Sequence, residues 1–271
     1  MAATSTHPFA NEEPGDVPLA RSPLVRTIAQ IRFPHPTAFV ADQEAAATEV
    51  VKRLAAEYPI LEIGQDMQIV ITPDGVTRKE GNARLWRLAT GDRSWQISFG
   101  INFLAIETST YVRRRDFASR LSLAWQALLD VVNVPHIERL GVRYINQVTE
   151  EEIVDRIPEL VRQEILGISG LHGEEFSILS SLNEAQYRFR DGSTFNARWG
   201  LLPPRQDLGV DLPAYDHTTW VLDMDSFQEW APGKFTERDL YEEIRALSLR
   251  GYQFFRWAFT DEALRTFGAN Q

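Results

Sequence analysis

Three observations predict an α+β fold of two similar halves, each a mainly antiparallel sheet with a long covering helix. First, strand-like segments follow one another directly and are joined by turn residues, at Pro73-Asp74-Gly75, Gly91-Asp92 and Arg190-Asp191-Gly192-Ser193. Neighbouring strands followed by a helix favour α+β over alternating βα units. Second, each run of strands ends in an amphipathic helix. Arg114 to Val132 carries Phe117, Leu121, Ala124, Trp125 and Leu128 at helical spacing. Thr236-Glu237-Arg238-Asp239 has capping-box spacing and opens a helix with Leu240, Ile244, Leu247, Phe254 and Phe255. Third, the order helix, several strands, long helix occurs twice. No residue-level identity accompanies it, so the duplication is an expectation about topology alone.

Residues 1–22 are rich in Pro, Ala, Ser and acids without periodicity, and are expected to form a flexible N-terminal arm. The first half then runs over 23–149 and the second over 150–271. Leu24 to Phe33 carries apolar residues on both faces, as an interior strand does, and Pro34-His35-Pro36 ends it. Ala41 to Tyr58 reads as a helix stopped before Pro59. Met67 to Thr72, Val76 to Lys79, Arg84 to Thr90 and Trp95 to Glu107 read as strands, the last the most strand-like of all. Ile137 to Val148 is a further strand and Glu151 to Leu166 a helix. Phe176 to Phe189, Thr194 to Leu201 and Thr218 to Asp225 are strands, and Pro203 to His217 is a loop.

The 271 residues are 44% apolar and 24% charged, the composition of an ordinary globular chain. No run approaches a membrane span, and Met1 to Asp16 has no basic patch followed by an apolar stretch, so the expected compartment is the cytoplasm. The absence of cysteine excludes disulfides and thiol catalysis and removes the sulfur ligands most zinc sites use. The net charge of −10 works against nucleic-acid binding, which needs a basic footprint. That charge is uneven. Arg78 to Arg120 holds nine basic and four acidic residues, whereas Val142 onward holds thirteen and twenty-two.

Several constellations are candidates for function. Arg113, Arg114 and Arg115 crowd the start of a helix, where the dipole disfavours cations by a few tenths of a kcal/mol each. Together with Arg84, Arg87 and Arg93 they are expected to form one face that binds an anion or an acidic partner, with Trp86, Trp95 and Tyr111 interleaved mainly as core. Tyr144 and Asn146 share one face of the strand Leu140 to Asn146 and are candidate pocket residues. Arg143 lies on the other face and is expected to pair with a carboxylate. Asp223 and Asp225 share a strand face and read as a solvated strand end, since no phosphate-cradling motif accompanies them. His7, His35, His136, His172 and His217 lack metal-ligand spacing, and no GxSxG is present. No catalytic residue, metal or cofactor is assigned.

Pro23-Leu24-Val25 leading to Ile31-Arg32-Phe33, the strand Trp95 to Glu107 with Tyr111 and Phe117, and above all Leu140-Gly141-Val142-Arg143-Tyr144-Ile145-Asn146 resemble one family of proteins. That family is prokaryotic, uncharacterised, of about this length and sporadically distributed. Phe255 to Phe267 resembles its last helix, so the likeness covers Pro23 to Gly268, departing at Val142 where the family more often has leucine. The resemblance implies a stand-alone protein of accessory gene neighbourhoods, of the kind seen in antitoxin and antiviral-defence modules. It supplies no activity.

Two functional readings follow. One is a non-enzymatic interaction component, antitoxin-like or defence-accessory, that binds a protein with an acidic surface. The other is a small-molecule or nucleotide binder, enzymatic or not, with an arginine-lined cleft between the halves. Either admits an oligomer.

Overall fold

The computed structural model describes residues 7–9, 14–15, 17–72, 75–171, 173, 175–176, 178–206, 213–232 and 240–269, with side chains throughout these except over 66–83. The turn residues Pro73 and Asp74 and the cap segment Thr236 to Asp239 lie outside them.

The protein is α+β, built on a large antiparallel sheet and several helices. In chain order the elements are β1 (Leu24–Arg32), α1 (Thr37–Ala41), α2 (Gln43–Leu54), β2 (Ile60–Thr72), β3 (Gly75–Ala89), β4 (Trp95–Phe99), β5 (Phe103–Thr108), α3 (Arg114–Leu129) and β6 (Arg139–Val148). There follow α4 (Glu151–Val154), α5 (Ile157–Leu160), α6 (Gln163–Leu166), β7 (Ser181–Arg188), β8 (Thr194–Leu202), β9 (Thr219–Glu229), α7 (Leu240–Ala258) and α8 (Asp261–Thr266). The chain divides into two compact units. Unit A comprises Ile28–Val142 and Gln228–Arg245, and unit B comprises Met1–Thr27, Arg143–Phe227 and Ala246–Gln271. These units cut the chain at different points from the sequence-based division at 149/150.

In unit A the strand order is β2-β3-β4-β5-β1-β6, and β2 to β5 form an antiparallel meander. Cross-strand register places Trp86 opposite Phe99 and Leu88 opposite Ile97, with Leu104 and Ile106 continuing the row on β5. All six are buried, and the Trp86 and Phe99 rings stack at 5.5 Å. The helix α3 packs on β5 and α2, turning its stripe of Phe117, Leu121, Ala124 and Leu128 inward. Each fully buried Leu or Phe contributes roughly 1.5–3 kcal/mol. The β3–β4 turn is tied by Asp92, whose carboxylate takes the Thr90 hydroxyl and the Ser94 N–H and hydroxyl. These bonds hold its pKa at about 2.

The expected single strand Trp95 to Glu107 is two strands. Gly100 ends β4, its N–H bonds to the Phe103 carbonyl, and the chain reverses over Gly100-Ile101-Asn102. A Cβ at Gly100 would stand 2.8 Å from the Phe103 ring, so a larger residue there would have to push that ring aside. The expected strands at Met67 and Val76 are also longer. Pairing runs from Ile60↔Ala89 to Thr72↔Gly75, with an irregularity between Gln65 and Met67.

In unit B the order is β1-β6-β9-β8-β7, with β7–β8 and β8–β9 antiparallel. Phe195, Trp199, Trp220, Leu222 and Met224 are buried, joined by Phe254 of α7 and by Phe259 between α7 and α8. The indole N–H of Trp199 donates to the Ile165 carbonyl at 2.6 Å, so its polar end is satisfied inside. The helix expected over Glu151 to Leu166 is instead three single turns, α4 to α6: Pro158 in the first turn of α5 lacks the backbone donor that would continue α4, and Val161 is extended and bridged to Phe259 before α6 begins. The α8 helix starts at Thr260, whose Oγ1 accepts from Ala263 N at 3.2 Å and donates to the Leu160 carbonyl at 3.1 Å. Thr260→Ala is expected to cost about 1 kcal/mol through the lost cap. Thermal unfolding would read this as a fall of about 2–4 °C.

Among the described residues no helix is long and apolar enough to cross a membrane.

A candidate anion-binding cleft

The α3 helix begins under an electrostatic penalty. Arg113 is its N-cap and donates no capping acceptor, while Arg114 and Arg115 follow in the first turn beside Asp116. Asp116 spends its charge one turn on, 3.4 Å from Arg120. Arg115 and Ser119 are four residues apart and therefore share a face of α3. Tyr241 and Arg245 share a face of α7 by the same spacing. These four side chains, all within unit A, line an open cleft of about 500 Å³. Every one is a hydrogen-bond donor.

Arg245 sits at 3.3 Å from both carboxylate oxygens of Glu242, with its guanidinium 5.9 Å from the Tyr241 ring centre. Both members of this pair are exposed, and Arg245 also lines the cleft. Arg115 is exposed and has no acidic partner among the described residues. Two guanidinium groups, a serine hydroxyl, a phenol and the positive end of α3 thus meet at one cleft, which can hold a carboxylate or phosphate.

The other expected arginines are elsewhere. Arg84 and Arg87 are three apart in β3, so alternation sends them to opposite faces of the strand. Arg84 is ion-paired with Glu44 at the start of α2. Arg87 stands opposite Glu62 in register, and Arg93, in left-handed conformation (φ 58°) at the turn, donates to Glu62 at 2.7 Å. The six arginines therefore form no single face, since pairing and strand alternation separate them. Only Arg115 reaches the cleft. Its partners Tyr241 and Arg245 lie over a hundred residues away, where the sequence shows nothing but helical spacing.

Tyr144 and Asn146 are inside. Tyr144 is 7% exposed and lies against Gly251 of α7, where a Cβ would come within 2.8 Å of its ring. Asn146 is 2% exposed, and its Nδ2 donates to the Leu222 carbonyl at 3.1 Å, fastening β6 to β9.

Arg143 has the carboxylate partner expected from the cost of an unpaired buried guanidinium. Its Nε and Nη2 donate to the two carboxylate oxygens of Asp223, both at 2.7 Å. Arg198 adds two more, its Nη2 and Nε donating to Asp223 Oδ2 at 2.7 and 3.3 Å. Asp223 is thus 4% exposed and clamped between two arginines, where the sequence reading had a solvated strand end. The correction is long-range: Arg198 and Asp223 are register partners on β8 and β9. Burial works against the Arg143 charge, and Asp223 and Asp225 more than restore it, leaving its pKa raised.

Among the described residues no group of three or more His, Asp or Glu side chains gathers as metal ligands do. No protein-family model and no curated protein matches the chain.

Proposed function

We propose that this protein is a binding component without a catalytic role, which takes a carboxylate-bearing surface of a protein partner through the cleft of Arg115, Ser119, Tyr241 and Arg245. The observation that carries the reading is the convergence of two arginines and two hydroxyl donors from α3 and α7 on one open cleft. A chain of net charge −10 repels acidic partners overall, so a local cationic cleft selects where they land. The openness and polarity of the lining favour a side chain presented by a surface over an enclosed small molecule, which needs a more apolar pocket. The keeping of Arg115 in the first turn of α3, where the dipole disfavours a cation, supports the same reading.

The halves of this binding component are read as similar. In support, each half holds an antiparallel meander, β2 to β5 in the first and β7 to β9 in the second. Each meander is also followed by its half's longest helix, α3 or α7. A cytoplasmic location accords with the reading.

The test is a titration of a short poly-glutamate peptide into the wild-type chain and into Arg115→Gln/Arg245→Gln. Wild type is expected to bind, and the double variant to bind at least about ten-fold more weakly, equivalent to 1.4 kcal/mol. Equal affinity of the two overturns the cleft. Pyrophosphate titrated in parallel reports the nucleotide alternative: tighter binding of pyrophosphate than of the peptide favours it.

A further inference from the structure

The N-terminal arm carries a second recognition element, in unit B and independent of the cleft. The only phenyl ring it carries before Pro23 is Phe9. The Phe9 ring stands 5.1 Å from Tyr187, 4.9 Å from Phe189 and 5.1 Å from Phe195, edge-to-face with all three, and 6.1 Å from Phe254. Edge-to-face is the geometry in which the positive ring edge meets the negative face.

The walls of this cage are held without Phe9. Tyr187 and Phe195 are register partners on β7 and β8. Phe195 and Phe254 are fully buried and 5.2 Å apart. Phe189 is covered by the Arg250 guanidinium at 4.3 Å, and Arg250 is itself ion-paired with Asp191. Burial pushes the Asp191 carboxyl up, but bonds from Ser193 and Arg250 outweigh it and keep the pKa below the ordinary value. Among the described residues, the arm behind Phe9 is held to α7 at Gly15 and Val17 and to the C-terminal segment at Ala20 and Arg21. Tyr252 Oη accepts from Val17 N at 3.0 Å and donates to the Gly15 carbonyl at 2.8 Å, and Arg256 donates to the same carbonyl at 3.2 Å.

A preformed aromatic cage, filled by one ring from a polar Pro-rich segment, has the build of a peptide site occupied in cis. We infer that the cage of Tyr187, Phe189, Phe195 and Phe254 recognises a phenylalanine on an extended segment of a partner protein, and that Phe9 is its resident ligand in the free chain. The partner must displace Phe9, so the tethered arm competes as a local high concentration of ligand and sets the threshold for binding.

The test uses the full chain and a peptide of residues 4–14 (Thr-Ser-Thr-His-Pro-Phe-Ala-Asn-Glu-Glu-Pro), labelled for fluorescence anisotropy. Phe9→Ala in the full chain opens the cage, and the peptide is expected to bind it at least about ten-fold more tightly than it binds wild type. The same peptide with alanine for its phenylalanine is expected not to bind, and adding Tyr187→Ala to the opened chain is expected to abolish binding. If Phe9→Ala melts early, the intact peptide must raise its Tm toward wild type. A folded Phe9→Ala chain that does not bind the peptide, equal binding to wild type and variant, or an early melt that the peptide does not correct would each overturn the inference.

Discussion

Asp223→Asn is expected to lower the unfolding free energy by about 3 kcal/mol, at the lower end of the range for breaking a buried ion pair. The carboxylate is almost completely buried and is the shared acceptor of Arg143 and Arg198. Neutralising it leaves two guanidinium groups facing one another across β6, β9 and β8. The arginine side chains are 26% and 37% exposed, so water takes part of the load and keeps the cost from the top of the range. Arg198→Gln is the graded control. It leaves the bidentate Arg143–Asp223 pair intact and removes only the more exposed arm of the clamp, so the loss should stay within about 1 kcal/mol. Urea denaturation of the three proteins orders them as wild type, Arg198→Gln, Asp223→Asn. Equal midpoints for wild type and Asp223→Asn would show that the clamp contributes nothing to stability.

Gly200→Ala is the second large effect, expected to cost about 3 kcal/mol or more out of an ordinary folding margin of about 5–15 kcal/mol. Gly200 lies inside β8 at φ +142°, between Leu182 of β7 and Val221 of β9. A Cβ there would stand 1.7 Å from the Ser181 carbonyl oxygen, which is backbone and cannot swing aside. Accommodation requires β7 to leave β8. Gly91→Ala, at a turn where nothing lies within 4 Å of the new Cβ, is the control and should stay within about 0.5 kcal/mol. Circular dichroism of purified proteins checks both. A Gly200→Ala chain as stable as wild type would mean that the β7–β8 register is not as described.

Much of the fold is legible in the sequence because it rests on local period. The alternation Leu140, Val142, Tyr144 against Arg143 and Ile145 places β6, and the stripe from Phe117 to Leu128 places α3. Where local period misleads, a single backbone event is responsible. Ile101 continues the apolar alternation across the hairpin at Gly100, so one strand is read where two exist. Glu151 to Leu166 is helical in composition throughout, yet Pro158 and the bridge from Val161 to Phe259 divide it.

The functional residues are harder because they are assembled from distant parts of the chain. Arg115 stands out at a helix start by its charge, but Tyr241 and Arg245 look like an ordinary exposed helix face. Arg84 and Arg87 look like neighbours in sequence and are directed apart by strand geometry. Phe9 was hidden by composition, being one ring in a polar arm, and its signal was that isolation. Asp223 gave no sign of burial, since the arginines that neutralise it lie 80 and 25 residues away.

The central claim, that an acidic partner is held through charge at the α3–α7 cleft, is tested most directly by the salt dependence of poly-glutamate binding. Exposed charge pairs are screened as the Debye length shrinks from about 10 Å at 0.1 M salt to about 3 Å at 1 M. For the wild-type chain, affinity is expected to fall steadily with added salt, and for Arg115→Gln/Arg245→Gln the dependence is expected to be markedly shallower at every concentration. Parallel salt dependences for the two proteins would place the contact elsewhere and contradict the account.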